Sequence, residues 1–139
     1  SMGLTTANIR KCRAEALVDM CHNVKLFIGP EFPSRPDYWS NRLYVITGHG
    51  GLLMTPTIRG MADEGWLPGE HYIDYHDEAS LRRGLGQVFP RTRLGWSTTS
   101  YYAQCVAANG REFCCANFTY DHRVDELLRK VNQWRIGQY

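Results

Sequence analysis

The chain has 139 residues, 43% hydrophobic and 22% charged, which is enough for one globular domain with a buried core. A net charge of +2 is too small to indicate nucleic-acid binding by itself, and no apolar run approaches the ~18 residues of a membrane span. No signal peptide is visible, so we expect a cytoplasmic protein with neither nucleic-acid nor membrane partners. Ser1-Met2 has the look of a cloning remnant, which leaves residues 3–136 as a single expected domain.

Metal and redox chemistry are not indicated by the cysteines and histidines. The five cysteines are an odd number, and no pair has the C-x-x-C spacing, so we expect reduced thiols. No two of the histidines share a helix face with a carboxylate, and we therefore predict no metal site and no cofactor.

The first half of the chain alternates helix and strand. A helix is expected from Thr5 or Thr6 to about Met20, and residues 24–28 are typical of a strand that Gly29-Pro30 ends. A central helix is expected to begin at Pro36 or Asp37, capped by Asp37 or Ser40. On its apolar face we place three residues at spacings of four and three, and we expect three glycines to end it: Trp39, Leu43 and Ile46, then Gly48, Gly50 and Gly51.

The second half repeats this alternation. Residues 52–54 and 71–75 are predicted strands, joined by a loop over 57–70 with one helical turn near Gly60–Glu64. Asp77 is the expected cap of a helix that Pro90 ends, and residues 91–97 are a predicted linker. The remaining predictions are a helix from Ser97 or Thr98 to about Ala108 that Asn109-Gly110 ends, a helical stretch over Arg111–Asn117, and a last helix capped by Thr119 and Asp121.

This order of elements predicts an α/β fold. Strands that alternate with helices form a parallel sheet covered by helices. We therefore expect a Rossmann-like half domain with about three parallel strands flanked by helices. In such a sheet, ligands bind beyond the carboxyl ends of the strands, near helix N-termini.

Three motifs resemble one known family in both order and spacing. They are YWSNRLYVITGHGGLLMTPTIRGM, PGEHYIDYHDEASL and NFTYDHRVDELL, within residues 24–131. They are similar to the C-terminal, donor-binding domain of GT-B glycosyltransferases, in particular the bacterial and phage group 1 enzymes related to spore-maturation glycosyltransferases. The resemblance implies a GT-B C-terminal domain that binds a nucleotide-sugar.

The resemblance also implies which residues hold this donor. The diphosphate would meet backbone amides from Asp37 through Tyr38 to Ser40, with Arg42 or Arg35 neutralising its charge. Ser40 and Asn41 could bind a sugar or ribose hydroxyl, and Glu64 lies where the family often has an acidic residue near the donor. Many relatives carry two acidic residues eight apart on the central helix, and these positions fall near Asp37 and on Val45. The valine departs from the pattern, since it cannot accept a hydrogen bond from a ribose.

Two further expectations concern what this chain lacks relative to the family. Its first strand corresponds to about the fourth strand of the family's domain, so the edge of strand 24–28 would be unpaired. The N-terminal helix or a second copy of the chain must cover that edge, and a homodimer through it is expected. The acceptor half and the usual catalytic base are also missing, so we expect a truncated domain that is not active alone. The alternative is a degenerate glycosyltransferase fold that serves as a protein-binding module, phage-encoded and directed at a host protein.

Overall fold

The computed structural model describes residues 14–29, 38–92, 95–96 and 98–137. Five helices and five strands lie within these ranges. The helices are α1 (Ala14–Asn23), α2 (Arg42–Gly48), α3 (Glu78–Val88), α4 (Tyr101–Asn117) and α5 (Tyr120–Ile136). The strands are β1 (Phe27–Ile28), β2 (Leu53–Thr55), β3 (Ile73–Asp74), β4 (Arg91–Thr92) and β5 (Gly95–Trp96).

The main sheet has three parallel strands in the order β1-β2-β3. Phe27 pairs with Leu53, and Met54 pairs with Ile73, so each strand follows its neighbour after a helical or looped crossover. Helices flank this sheet, which confirms the predicted α/β class with a Rossmann-like half domain. The carboxyl ends of all three strands therefore meet at one edge of the sheet.

The strands are shorter than the sequence predicted, although the middle one is confirmed within one residue of 52–54. The expected strand 24–28 shrinks to β1, because the backbone N–H of Val24 still bonds to the Met20 carbonyl at the end of α1. The expected strand 71–75 shrinks to β3, because the N–H of His71 donates to the Leu67 carbonyl and closes a turn.

The central helix begins later than predicted and ends as predicted. α2 starts at Arg42 rather than at Pro36 or Asp37, which lie outside the described residues. Trp39 precedes the helix, so its place on the helix's apolar face is wrong. At the other end, the ring Nδ1 of His49 lies 2.7 Å from the Val45 carbonyl, and Gly50 takes a positive φ of 80°.

Two predicted helix starts are confirmed by their caps. The carboxylate of Asp77 accepts a hydrogen bond from the Ser80 N–H at 2.6 Å at the start of α3. The hydroxyl of Thr119 accepts one from the His122 N–H, and the His122 ring reaches back to the Thr119 N–H.

The predicted helix end at Asn109-Gly110 is wrong, because α4 runs unbroken to Asn117. A Cβ built on Gly110 would lie far inside van der Waals contact of the His71 carbonyl oxygen. Glycine at this position therefore allows the helix to approach a backbone rather than ending the helix.

The predicted linker 91–97 instead contains a second, two-stranded sheet. β4 and β5 pair antiparallel, with Arg91 opposite Trp96 and Thr92 opposite Gly95. Strands of two residues are too short to show the period-two alternation by which a strand is recognised in a sequence.

Side chains from both faces of the main sheet form the core. One cluster lies around Leu43, Leu53 and Trp66, and the other lies around Leu52, Met54 and Val88. Successive residues of β2 thus point to opposite faces, and both faces are covered, as is usual for parallel sheets. α4 contributes to both clusters, whereas no residue of α5 is buried.

Candidate functional site

The sequence-predicted site residues surround the start of α2. Asn41 and Arg42 are exposed, as is Tyr38, while Ser40 is half-buried. The Ser40 hydroxyl lies 3.3 Å from the backbone N–H of Arg42. Asp37 lies outside the described residues. Because α2 begins only at Arg42, the amides of residues 38–40 are not those of a helix N-terminus, contrary to the prediction.

Two loops that follow β1 and β2 meet through a tyrosine of α2. The indole Nε1 of Trp39 donates to the hydroxyl of Tyr44 at 2.9 Å. That hydroxyl donates in turn to Oε2 of Glu64, also at 2.9 Å. Burial raises the pKa of Tyr44 above its ordinary value, and the neighbouring Glu64 carboxylate raises it further. Tyr44 is therefore a neutral phenol at pH 7, which holds the Glu64 carboxylate in place.

Arg123, from the first turn of α5, completes this arrangement. A guanidinium nitrogen lies 3.6 Å from Oε2 of Glu64, and another lies 3.2 Å from Glu126. The guanidinium carbon lies 5.2 Å from the centre of the Phe118 ring and 5.9 Å from that of Tyr44. Sequence reasoning did not single out Arg123. The signal that could have found it was its place in the NFTYDHRVDELL motif.

A cluster of aromatic rings packs beneath the Glu64 carboxylate and the Arg123 guanidinium, on the side of the protein core. Trp66 is fully buried and packs edge-on against Tyr44 and Phe113, with Phe118 stacked beside it. The Tyr44 and Phe118 rings are themselves 5.2 Å apart. Because Tyr44 and Phe118 are both held in this cluster, the Glu64 carboxylate and the Arg123 guanidinium rest on a packed base.

A cavity of about 570 Å³ opens between α2 and the junction of α4 with α5. It is lined by residues of both sides: Asn41, Tyr44, Val45, His49, Phe118, Thr119, Tyr120 and Arg123. Among the residues predicted from the sequence, Asn41 is part of the lining and Glu64 adjoins it through Tyr44 and Arg123. Its volume lies within the range of small-molecule sites.

Val45, which stands where related enzymes often have an acidic residue, is half-buried and faces this cavity. The cavity wall is therefore apolar at that point. Among the residues that the structure describes, the Glu64 carboxylate adjoins the cavity through Tyr44 and Arg123, and its Oε2 already accepts from Tyr44.

In the part of the chain that the structure describes, no three metal-ligating side chains lie close enough to hold an ion. Over the same residues, no helix is long and apolar enough to cross a membrane. Cys21, Cys105, Cys114 and Cys115 are all free thiols.

Fold and site together define a Rossmann-like α/β domain with a ligand-sized cavity between α2 and the α4–α5 junction. The chain belongs to the glycosyl transferase-like family, whose model matches residues 8–129. This membership confirms the glycosyltransferase-like character that the three motifs predicted. Comparison with curated proteins and with solved structures finds no match to this chain.

Proposed function

We propose that this domain binds a nucleotide-sugar, the donor of a GT-B glycosyl transfer, in the cavity between α2 and the α4–α5 junction. Family membership supports the ligand class. The observation that carries the location is the guanidinium of Arg123, which lies beside Glu64 and Tyr44 at the edge of a cavity of about 570 Å³. The proposal concerns binding of the donor and not its transfer.

Arg123 is suited to the diphosphate of such a donor. The planar guanidinium can donate two parallel hydrogen bonds to phosphate oxygens, and it keeps its charge at any physiological pH. Its side chain is 45% exposed, so an anion can reach it. The strongly exposed Tyr120 offers a ring face on the same wall, on which a base could stack.

The hydroxyl groups of the sugar and ribose would be held by Asn41 and Glu64. Asn41 lines the cavity and can both donate and accept. Glu64 can accept from a hydroxyl while the Tyr44 and Arg123 contacts fix its orientation. Asp37, Tyr38, Ser40 and Arg42 remain in the proposal as a second group of donor contacts at the start of α2.

A thermal-shift experiment with UDP-, GDP- and ADP-sugars tests the proposal. A ligand present at ten times its Kd adds about 1.4 kcal/mol to the folded state, which raises the melting temperature by several degrees. We expect one of the three nucleotides to produce this shift in the native protein. Arg123→Ala should abolish it, whereas Arg129→Ala removes the same charge from the exposed part of α5 and should preserve it.

Variants at the start of α2 separate the cavity from the site first predicted. Loss of the shift in Arg42→Ala, with Arg123→Ala unaffected, would place the diphosphate at the start of α2 and reject the cavity. No shift with any of the three donors at millimolar concentration would reject donor binding altogether. The degenerate fold used as a protein-binding module would then be the better proposal.

A further inference from the structure

The last helix carries an apolar surface that no described part of the chain covers. Five large apolar side chains lie along α5, each between 43% and 65% exposed: Val124, Leu127, Leu128, Val131 and Trp134. We call this set the α5 stripe. With 3.6 residues per turn, the five side chains fall within an arc of roughly 120°. Arg123, in its first turn, contacts Glu64, and no residue of α5 belongs to either core cluster.

The α5 stripe has the spacing of a helix that pairs with another helix. Val124, Leu127, Val131 and Trp134 alternate intervals of three and four, which is the heptad pattern of a coiled-coil seam. Leu128 widens the seam on one side. A seam of this kind packs against another helix rather than against a flat sheet.

The charges of α5 are divided between its two halves. Its acidic residues, Asp121, Asp125 and Glu126, all lie in the N-terminal half. Three basic residues, Arg129, Lys130 and Arg135, lie in the C-terminal half. The remaining arginine, Arg123, is paired with Glu64 and Glu126. Glu126 and Lys130 pair with each other within the helix at 2.7 Å. The other charges still make α5 complementary to a second copy of itself that runs in the opposite direction.

We propose that the α5 stripe is the interface of a two-fold homodimer in which two α5 helices pack antiparallel. A two-fold interface uses the same surface on both subunits, and the distribution of charge along α5 meets this condition. In the register that aligns the apolar seams, Leu127 packs against Val131 of the partner subunit, and Leu128 lies near the two-fold axis. Asp121 then lies opposite Arg135 of the partner subunit, and this ion pair occurs twice.

This surface is a better dimer interface than the sheet edge predicted from the sequence. β1 has only two residues, so its edge offers few backbone groups for pairing. α5 has 17 residues, a length of about 25 Å, and its apolar side chains are already exposed. The seam from Val124 to Trp134 spans only about one and a half heptads, so the dimer should dissociate on dilution.

Sedimentation equilibrium over a range of concentrations measures this directly. At high concentration we expect a mass about twice the 16.0 kDa of one chain, which falls to 16.0 kDa on dilution. Leu127→Lys places an ammonium group in the seam and should weaken the dimer at least about tenfold. Gln133→Lys adds the same charge on the opposite face of α5 and should leave the dimer intact. Both side chains are exposed in the single chain, so both variants should keep the native circular dichroism.

Charge reversal tests the antiparallel direction. Asp121→Arg and Arg135→Asp, each made alone, place like charges opposite each other twice, and each should weaken the dimer about tenfold. The double variant exchanges the two charges and should restore native affinity. A single-chain mass at every concentration overturns the proposal. A dimer that persists in Leu127→Lys also overturns the proposal, because its interface must then lie elsewhere, for example at β1. A double variant no tighter than the singles rules out the antiparallel register.

Discussion

α4 and α5 are neighbours of the same length, 17 residues each, yet one is built into the core and the other lies outside it. Four residues of α4 are buried, Ala103, Val106, Gly110 and Cys114, and all four are small. Their spacing of three and four places them on one helical face, so the α4 backbone can come close to what it covers. At this spacing α5 carries leucine, valine and tryptophan instead, which need a partner helix at a larger distance.

The difference between the two helices also explains where the candidate site lies. α4 ends in the aromatic cluster, where Phe113 and Phe118 pack on the buried Trp66. α5 begins immediately afterwards, and its first turn carries Arg123. The Arg123 guanidinium therefore packs on the aromatic cluster at the end of α4, while the rest of α5 is exposed. Ligand binding and subunit pairing can use the same helix without sharing residues.

The largest effect that we expect comes from filling the close approach of α4. Gly110→Ala adds a Cβ that must push away the backbone carbonyl of His71, and backbone cannot yield as a flexible side chain can. The cost of the overpacking exceeds the gain in helix propensity, and we expect a net loss of about 3 kcal/mol in the free energy of unfolding. Urea denaturation followed by circular dichroism measures this loss.

Gly86 of α3 is the matched control, because nothing lies within 4 Å of a Cβ built there. Gly86→Ala should stabilise the protein by up to about 1 kcal/mol, as expected for alanine in an open helical position. Equal effects of the two substitutions would show that α4 does not approach the His71 backbone as closely as the structure has it.

A valine-to-alanine substitution should have a smaller effect than Gly110→Ala, and its size should differ between α4 and α5. Val106→Ala removes two methyl groups from a side chain that is 1% exposed in the second core cluster, and we expect a loss of about 2 kcal/mol. Val131→Ala removes the same groups from a side chain that is 43% exposed on α5, and we expect a change within about 0.5 kcal/mol. Urea denaturation of both variants at a concentration where the chain is monomeric measures this contrast.

The stability losses of Val106→Ala and Val131→Ala should also differ in how they depend on protein concentration. If α5 pairs as proposed, Val131→Ala should destabilise the protein at high concentration and not at low concentration, whereas Val106→Ala should do so equally at both. A loss for Val131→Ala that is large and independent of concentration would mean that α5 packs on its own chain.

The sequence was informative where a structure depends on neighbouring residues and uninformative where it depends on distant ones. The caps at Asp77 and Thr119 were predicted, because each hydrogen bond joins residues within four positions. The strand order followed from the alternation of helices and strands. Gly110 was misread as a helix end, because the backbone that it approaches lies far away in the sequence.

Arg123 was missed for the same reason. Its partner Glu64 was singled out from the family resemblance, but nothing in the local pattern connects a loop after β2 with the first turn of α5. The late start of α2 also involves a distant contact. Trp39, which lies outside the helix, donates a hydrogen bond to Tyr44, and Tyr44 donates one to Glu64. Only tertiary packing brings these residues together.

The smallest effect that we expect is the pH dependence of His71, where α4 covers the turn before β3. The His71 ring is stacked on Phe113 of α4 at 4.2 Å, and its Nδ1 accepts a hydrogen bond from the Leu67 N–H at 3.1 Å. Burial lowers the pKa of His71 below its ordinary value of 6.5, although the nearby Glu70 carboxylate opposes this. The folded protein therefore favours the neutral ring, since a protonated Nδ1 could no longer accept from Leu67.

The sign of the effect follows from the lowered pKa. Well above pH 6.5 the ring is neutral in both the folded and the unfolded chain, and the full stability is present. As the pH falls below 6.5 the unfolded chain takes up the proton first, so the free energy of unfolding should decrease between about pH 7 and pH 5. His71→Asn keeps an acceptor for the Leu67 N–H but does not titrate, so its stability should vary less over this range. If the native protein and His71→Asn lose stability in parallel, the histidine ring is not the group that couples α4 to pH.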